Sequence, residues 1–239
     1  MFLFLKFLLA HILGDFVFQP TNWVINKEEK KIKAPKLYLH ILVHALLLLL
    51  VIQFQLKEYW LGIVLIVTSH YVFDVLKITY QKKKTKRNWF VIDQILHLFV
   101  LIVAATIYTE FNYLAIHYYN DKYVLLLLAF LLLTKVSSII IKQFITQWQP
   151  ENKNENDASL AKAGRYIGIL ERLFVFVFVV TNHWEAIGFL IAAKSVFRFG
   201  DLTSSKDRKL TEYILIGTLL SFGLAILIGI LYSYAVIML

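Results

Sequence analysis

The chain has 239 residues, 59% of them hydrophobic and 17% charged, with a mean hydropathy of +0.66. Several apolar runs approach or exceed the roughly 20 residues a helix needs to cross a bilayer, and most lack a polar face, which excludes a soluble globular class. The formal net charge of +9 does not imply nucleic acid, because the basic residues cluster between apolar runs, and the absence of cysteine excludes disulfides and thiolate metal sites.

The first run, Phe2 to Phe18, has no small-residue cleavage site, and only Lys6 precedes His11 as a charge, so it reads as a retained span rather than a signal peptide. Inside it sit His11 and Asp15, four residues apart and on one face of a helix. A carboxylate in such a run is costly, which marks it as functional and in need of partners.

Continuing along the chain, the pattern predicts an all-α polytopic membrane protein. About eight transmembrane helices are expected, at 2–18, 37–55, 59–80, 90–109, 123–146, 164–181, 185–199 and 211–236, in two sets of four. The seventh run is short enough to be re-entrant. The polar, Asn-rich segment 147–163 is the one clear linker, between an N-terminal helix set at 1–146 and a C-terminal set at 164–239 of a single integral membrane domain. All five tryptophans fall in loops or at span edges, as an aromatic belt requires.

The loops alternate in charge. The first carries Lys27, Lys30, Lys31, Lys33 and Lys36, and the third carries Lys82, Lys83, Lys84, Lys86 and Arg87. The fifth and seventh are also basic, whereas the second and fourth have one lysine each and the sixth has no lysine or arginine. By the positive-inside rule the odd loops are cytoplasmic and both termini lie outside a bacterial cytoplasmic membrane.

Spans two to four repeat the chemistry of the first. They carry His40 and His44, His70 and Asp74 with Lys77 a turn later, and Asp93 and His97. Four consecutive helices thus each present two ligand-type residues at i, i+4, and five of the seven histidines are used this way; His117 and His183 are in loops. With the termini outside, all four pairs lie at one depth, ~5–15 Å below the cytoplasmic surface at 1.5 Å per residue. Helix-borne His and carboxylate pairs converging in a bundle core are how dimetal sites are built. The donor set suits one or two divalent transition-metal ions, with zinc favoured and manganese or iron as alternatives. A metal-free proton relay or ion pathway would use the same residues.

The second helix set differs. Span five holds Lys135, Ser137, Ser138 and Lys142, span six opens with Arg165, Glu171 and Arg172, span seven closes with Lys194, Arg198 and Asp201, and span eight opens with Glu212. The carboxylates can neutralise some of these cations. The remaining excess favours a phosphate or carboxylate ligand, so Arg165, Glu171, Arg172, Lys194, Arg198 and Glu212 form the candidate substrate-binding set. Gly164, Gly168, Gly200 and Gly217 read as close helix contacts rather than a phosphate loop.

The segments "HILGDFVFQ", "LHILVHALL", "HYVFDVLK", "DQILH", "GILERL", "AAKSVFRFG" and "EYILIGTLLS" resemble a bacterial family of multi-pass membrane proteins of unknown function, the domain-of-unknown-function family numbered thirty-three-oh-seven. The resemblance implies the architecture and the choice of residues but no reaction. The paired His and Asp also look loosely like integral-membrane metal-dependent hydrolases.

The expectation is therefore a metal-dependent hydrolase acting on an anionic amphiphile, such as a lipid or isoprenoid phosphate, at the cytoplasmic leaflet. Its metal would be held within His11, Asp15, His40, His44, His70, Asp74, Asp93 and His97, with Asp15, Asp74, Asp93 and Lys77 as catalytic candidates. The bilayer and the amphiphile are the expected partners, with no nucleic acid. The alternatives are a metal-ion or proton transporter using the same cluster, a metal-dependent oxidase, and a regulatory or structural membrane partner.

Overall fold

Pro20 sets the course of the N-terminal chain. In the computed structural model, which describes residues 2–108, 118–148, 157–196 and 205–239, α1 (Phe2–Ile12) passes into a five-residue π-helical segment, Leu13–Val17. That segment is closed by a bond from Phe18 N–H to Leu13 O of 2.8 Å. Pro20, which lacks an N–H, then opens α2 (Thr21–Lys30), and the chain turns by 82°. The first basic loop is therefore a helix lying across the end of its neighbours, which corrects the expected loop at 19–36. Lysine-rich composition had masked its helical character.

Besides short 3-10 turns at Lys31–Lys33 and Thr146–Trp148, the remaining elements are α3 (Pro35–Val51), α4 (Leu56–Tyr80), α5 (Lys86–Thr106), α6 (Tyr118–Leu131), a second π-helical segment (Leu132–Val136), α7 (Ser137–Ile145), α8 (Asp157–Val180), α9 (Trp184–Val196) and α10 (Ser205–Ile237). The described residues contain no strand. Among the described residues, four helical stretches are long and apolar enough to cross a membrane: Leu56–Tyr80, Lys86–Thr106, Lys122–Trp148 and Thr211–Ile237. The bent N-terminal pair makes a fifth if it is counted as one span, and the apolar α3 has 17 residues. Leu42, Leu46 and Leu50 on α3, and Ile95, Phe99 and Ile102 on α5, are exposed while charged groups are buried. That polarity suits a lipid solvent.

The chain forms two compact units, Met1–Val124 and Leu125–Leu239, so most of the fifth expected span groups with the C-terminal helices. In the first unit α1, α3, α4 and α5 make a bundle. Phe7, Leu48, Ile66 and Leu101 fill its core toward the α1 N-terminus. At the other end a small cluster, Ala34, Leu37 and Ile78, lies near α2. The polar side chains occupy the layer between. In the second unit α8 packs along α10 with α7 and α9 beside them. The two long helices run parallel, since Arg172 meets Ser221 and Val179 meets Gly229. A Cβ on Gly229 would come within 2.8 Å of Val179 Cγ1, so glycine is what permits that approach.

Candidate metal centre

All four expected pairs converge. His11, His40, His44, His70, Asp74, Asp93 and His97 are buried, and the Asp15 side chain is 11% exposed. The imidazoles gather into one cluster of mutually tilted rings, with ring centroids 3.8 Å apart for His44 and His70, 4.2 Å for His70 and His97, and 5.1 Å for His11 and His97.

Asp15 stands at the middle because its segment is π-helical. The extra residue per turn shifts the carboxylate relative to a regular α-helix, a distortion common at functional sites. Gly14 serves the same purpose, since a Cβ there would overlap the His44 ring. Asp15 Oδ1 consequently faces three imidazole nitrogens: His44 Nε2 at 2.9 Å, His40 Nε2 at 3.2 Å and His70 Nε2 at 3.5 Å. His40 Nε2 and His70 Nε2 are 3.1 Å apart. Ligand atoms at 2.0–2.1 Å around a tetrahedral zinc are about 3.3 Å from one another. The three separations from Asp15 Oδ1 and the one between His40 and His70 are close to that spacing. Among the described residues, three overlapping groups could hold an ion: His11, Asp15, His44 and His70; His40, His70 and Asp74; and Asp15, Asp93 and His97.

Hydrogen bonding within the cluster does not account for all its atoms. His40 Nδ1, Asp93 Oδ1 and both ring nitrogens of His97 are buried without a hydrogen-bond partner. His97 Nδ1 stands 3.7 Å from Asp93 Oδ1. Buried polar atoms are ordinarily satisfied by protein, water or an ion, so this part of the cluster has capacity for a further partner.

The outer carboxylates are already neutralised. Lys27 Nζ donates to Asp74 Oδ2 at 2.7 Å, and Lys77 Nζ donates to Asp93 Oδ2 at 2.6 Å. Lys27, expected to be a solvated loop charge, is buried. Its helix is held further by Lys31 Nζ donating to Ile78 O and by Glu28 pairing with Lys86 at 2.5 Å. Asp15 is the carboxylate of the cluster that faces imidazoles rather than an ammonium.

Two glutamines escaped the sequence reading. Gln94 Nε2 donates to Asp15 Oδ2 and to Asp93 Oδ2, 3.2 Å each, while its Oε1 lies 3.3 Å from His11 Nε2. Gln19 Nε2 is 3.1 Å from His40 Nε2. The available signal for Gln94 was an amide beside Asp93 in an otherwise apolar helix; Gln19 looked like the start of a loop.

The second-unit candidates are placed differently. Arg172 is buried, Lys194 donates to Glu171 Oε2 at 2.7 Å, and Arg165 and Glu212 are exposed. Arg198, with Asp201, Gly200 and His117, lies outside the described residues. Gly164, Gly168 and Gly217 are not the close helix contacts expected of them: a Cβ on Gly164 would meet nothing within 4 Å, one on Gly168 only Arg172 Nη1, and one on Gly217 only Ile145 Cδ1 at 3.9 Å. Among the described glycines the close approaches are at Gly14, Gly62 and Gly229.

No curated protein and no solved structure matches this chain. The sequence profile described as "Protein of unknown function (DUF3307)" matches residues 3–127, the stretch that contains every member of the His and Asp cluster. The chain belongs to that family.

Proposed function

We propose that the protein is an integral membrane metalloenzyme, a hydrolase of anionic amphiphiles at the cytoplasmic leaflet of a bacterial inner membrane. One observation carries the reading: three buried imidazole nitrogens, of His40, His44 and His70, lie 2.9–3.5 Å from a single carboxylate oxygen, Asp15 Oδ1, and among the described residues no lysine pairs with that carboxylate. One divalent ion, zinc in preference to manganese or iron, is held by Asp15, His40, His44 and His70, with His11 beside them. The lysine-paired Asp74 and Asp93 make a second ion unnecessary for charge balance.

A bound divalent ion would lower the pKa of a water and polarise a phosphoryl or carbonyl oxygen. Of the remaining carboxylates, Asp74 is closed off by Lys27. Asp93 keeps one oxygen free, and Oδ1 is the general base of this proposal, accepting the proton of the attacking water. Lys77 holds the other oxygen; its side chain is 23% exposed, so it can also neutralise an anionic group that enters. Gln94, bonded to Asp15 and Asp93, keeps the ligand and the base in fixed relation.

The topology of the proposal has eight spans with both termini outside. The exposed lysines Lys30, Lys31, Lys33, Lys82, Lys83 and Lys84 support it, since they belong to the segments bordering the site. A phosphate ester of a lipid or isoprenoid fits a site at that depth.

The test is elemental analysis of protein purified without chelator, followed by assay of the metal-loaded protein on lipid and isoprenoid phosphates. One ion per chain with turnover supports the reading. Protein that neither carries nor rebinds zinc, manganese or iron overturns it. Metal flux in proteoliposomes without turnover of any such phosphate would replace the enzyme by a transporter.

A further inference from the structure

Arg172, in the second unit, is 3% exposed and has no carboxylate within ion-pair distance among the described residues. Its neighbour Glu171 is taken by Lys194. Its bonds go to neutral groups: Nε donates to Leu133 O at 2.5 Å, Nη1 to Ser221 Oγ at 3.0 Å, and Nη2 to Ser138 Oγ at 2.7 Å. Leu133 belongs to the π-helical segment, where the altered hydrogen-bond pattern helps a carbonyl turn to an outside donor. A guanidinium has five N–H donors, so one on each terminal nitrogen is left without an acceptor among the described residues. Among the described residues, Arg172, Lys194 and Glu171 together have one positive charge in excess in an apolar bundle, an arrangement costly without a counter-ion.

Space for that counter-ion lies next to the unused donors. Gly164, Gly168 and Arg172 are one turn apart on one face of α8, and Gly217 is one turn before Ser221 on the parallel α10. Among the described residues, a Cβ at Gly168 would have only Arg172 Nη1 within 4 Å, at 3.5 Å, and a Cβ at Gly164 would have no neighbour within 4 Å. With Gly164 exposed and Gly168 half-buried, the glycines leave a shallow notch on this face of α8, running from the Arg172 guanidinium past Gly168 to Gly164. The antiparallel α7 brings the exposed Lys142 toward the same end, where Arg165 is also exposed.

We propose that this notch is a binding site for a phosphate-bearing anion, which enters past Gly164 and Gly168 and is held by the guanidinium fork of Arg172. Ser138 and Ser221 hold the guanidinium plane in place. Two free N–H groups on one planar head are what a phosphate oxygen pair accepts, and a lysine cannot reproduce that fork. The same chemistry serves a phospholipid headgroup or a free phosphate. The site belongs to the second unit alone and does not depend on a metal in the first.

Full-length protein in detergent is tested by native mass spectrometry for retention of phosphatidylglycerol against phosphatidylcholine, and by thermal melting with inorganic phosphate. The deciding variant is Gly168→Leu, which fills the notch while keeping Arg172 and its three bonds, and whose Cβ has room. The expected result is anionic-lipid retention at least about tenfold above phosphatidylcholine in the wild type, lost in Gly168→Leu at an unchanged melting temperature. A phosphate-induced rise in melting temperature that is absent in Gly168→Leu, without lipid preference, assigns the free anion as the ligand. Arg172→Lys should behave as Gly168→Leu does; if it fails to fold, Gly168→Leu decides alone. Equal anion binding by wild type and Gly168→Leu, or no anion binding by the wild type, overturns the proposal.

Discussion

The His44 imidazole occupies the space that any side chain at Gly14 would need. This relationship links a backbone choice on the first helix to the position of a ligand on α3. Gly14→Ala should therefore move His44 away from Asp15. We expect metal content to fall well below one ion per chain, with a loss of stability in the about 1–3 kcal/mol range of overpacked sites. Elemental analysis beside a thermal melt checks both. Full metal content in Gly14→Ala would mean that His44 is not a ligand.

Asp15 and Asp93 should respond differently to removal of charge. Asp15→Asn takes away the carboxylate that faces three imidazoles, so metal affinity should drop by more than the roughly 10–100-fold typical of an outer partner. Asp93→Asn should leave the ion in place and abolish turnover, because its free oxygen is the proposed base. Parallel measurement of metal binding and of phosphate-ester hydrolysis separates the two roles.

Gln94 touches Asp15, Asp93 and His11 without being a donor of the ligand type. Gln94→Met preserves volume and apolar character but releases both carboxylates. The expected outcome is a metal affinity lower by about 10–100-fold, the range for groups that orient ligands, in a protein that still folds. A metal titration against a chelator of known affinity measures it.

The sequence carried much of this site because one pattern occurs four times, at 11/15, 40/44, 70/74 and 93/97. His and Asp at i, i+4 in apolar runs are rare enough to be noticed, and the four helices that bear them do meet. What was hidden depends on local distortion or on distant packing. The π-helical turn that re-aims Asp15 leaves no periodic trace, and Gly14 gains meaning only once His44 is beside it. Lys27 could not be told from its neighbours Lys30 and Lys33, since all sit between apolar runs; only packing brings one of them onto Asp74. Arg172 and the α8 glycines were visible as unusual residues. The open space beside Gly164 and Gly168, where close helix contact was expected, became legible only with the helices in place.

The orientation of the bundle can be read with single cysteines, since the chain has none of its own. Lys30, Lys57 and Lys83 are exposed, so substitution there reports access rather than packing. In intact cells Lys30→Cys and Lys83→Cys should be protected from an impermeant thiol reagent, and Lys57→Cys should react. The reverse pattern would put the metal centre at the outer leaflet and require a different substrate pool.

Lys27 and Asp74 offer the sharpest separation of fold from chemistry. The pair is buried at 2.7 Å and joins α2 to α4. Removing one partner strands a charge in an apolar setting, so Lys27→Met or Asp74→Asn alone should each cost about 3–5 kcal/mol. The double variant leaves no charge unpaired and should recover most of that loss, giving a coupling of opposite sign to the single effects. If the pair is only a clasp, the double variant should also bind metal as the wild type does, because Asp15 and the three imidazoles are intact. If Asp74 is itself a ligand, the double variant should be stable and metal-poor. Denaturant unfolding of the four proteins in one detergent, with metal content measured on the same preparations, distinguishes these outcomes. The expected result is a stable double variant that retains its ion, leaving Lys27 as the fastening that closes α2 over the site.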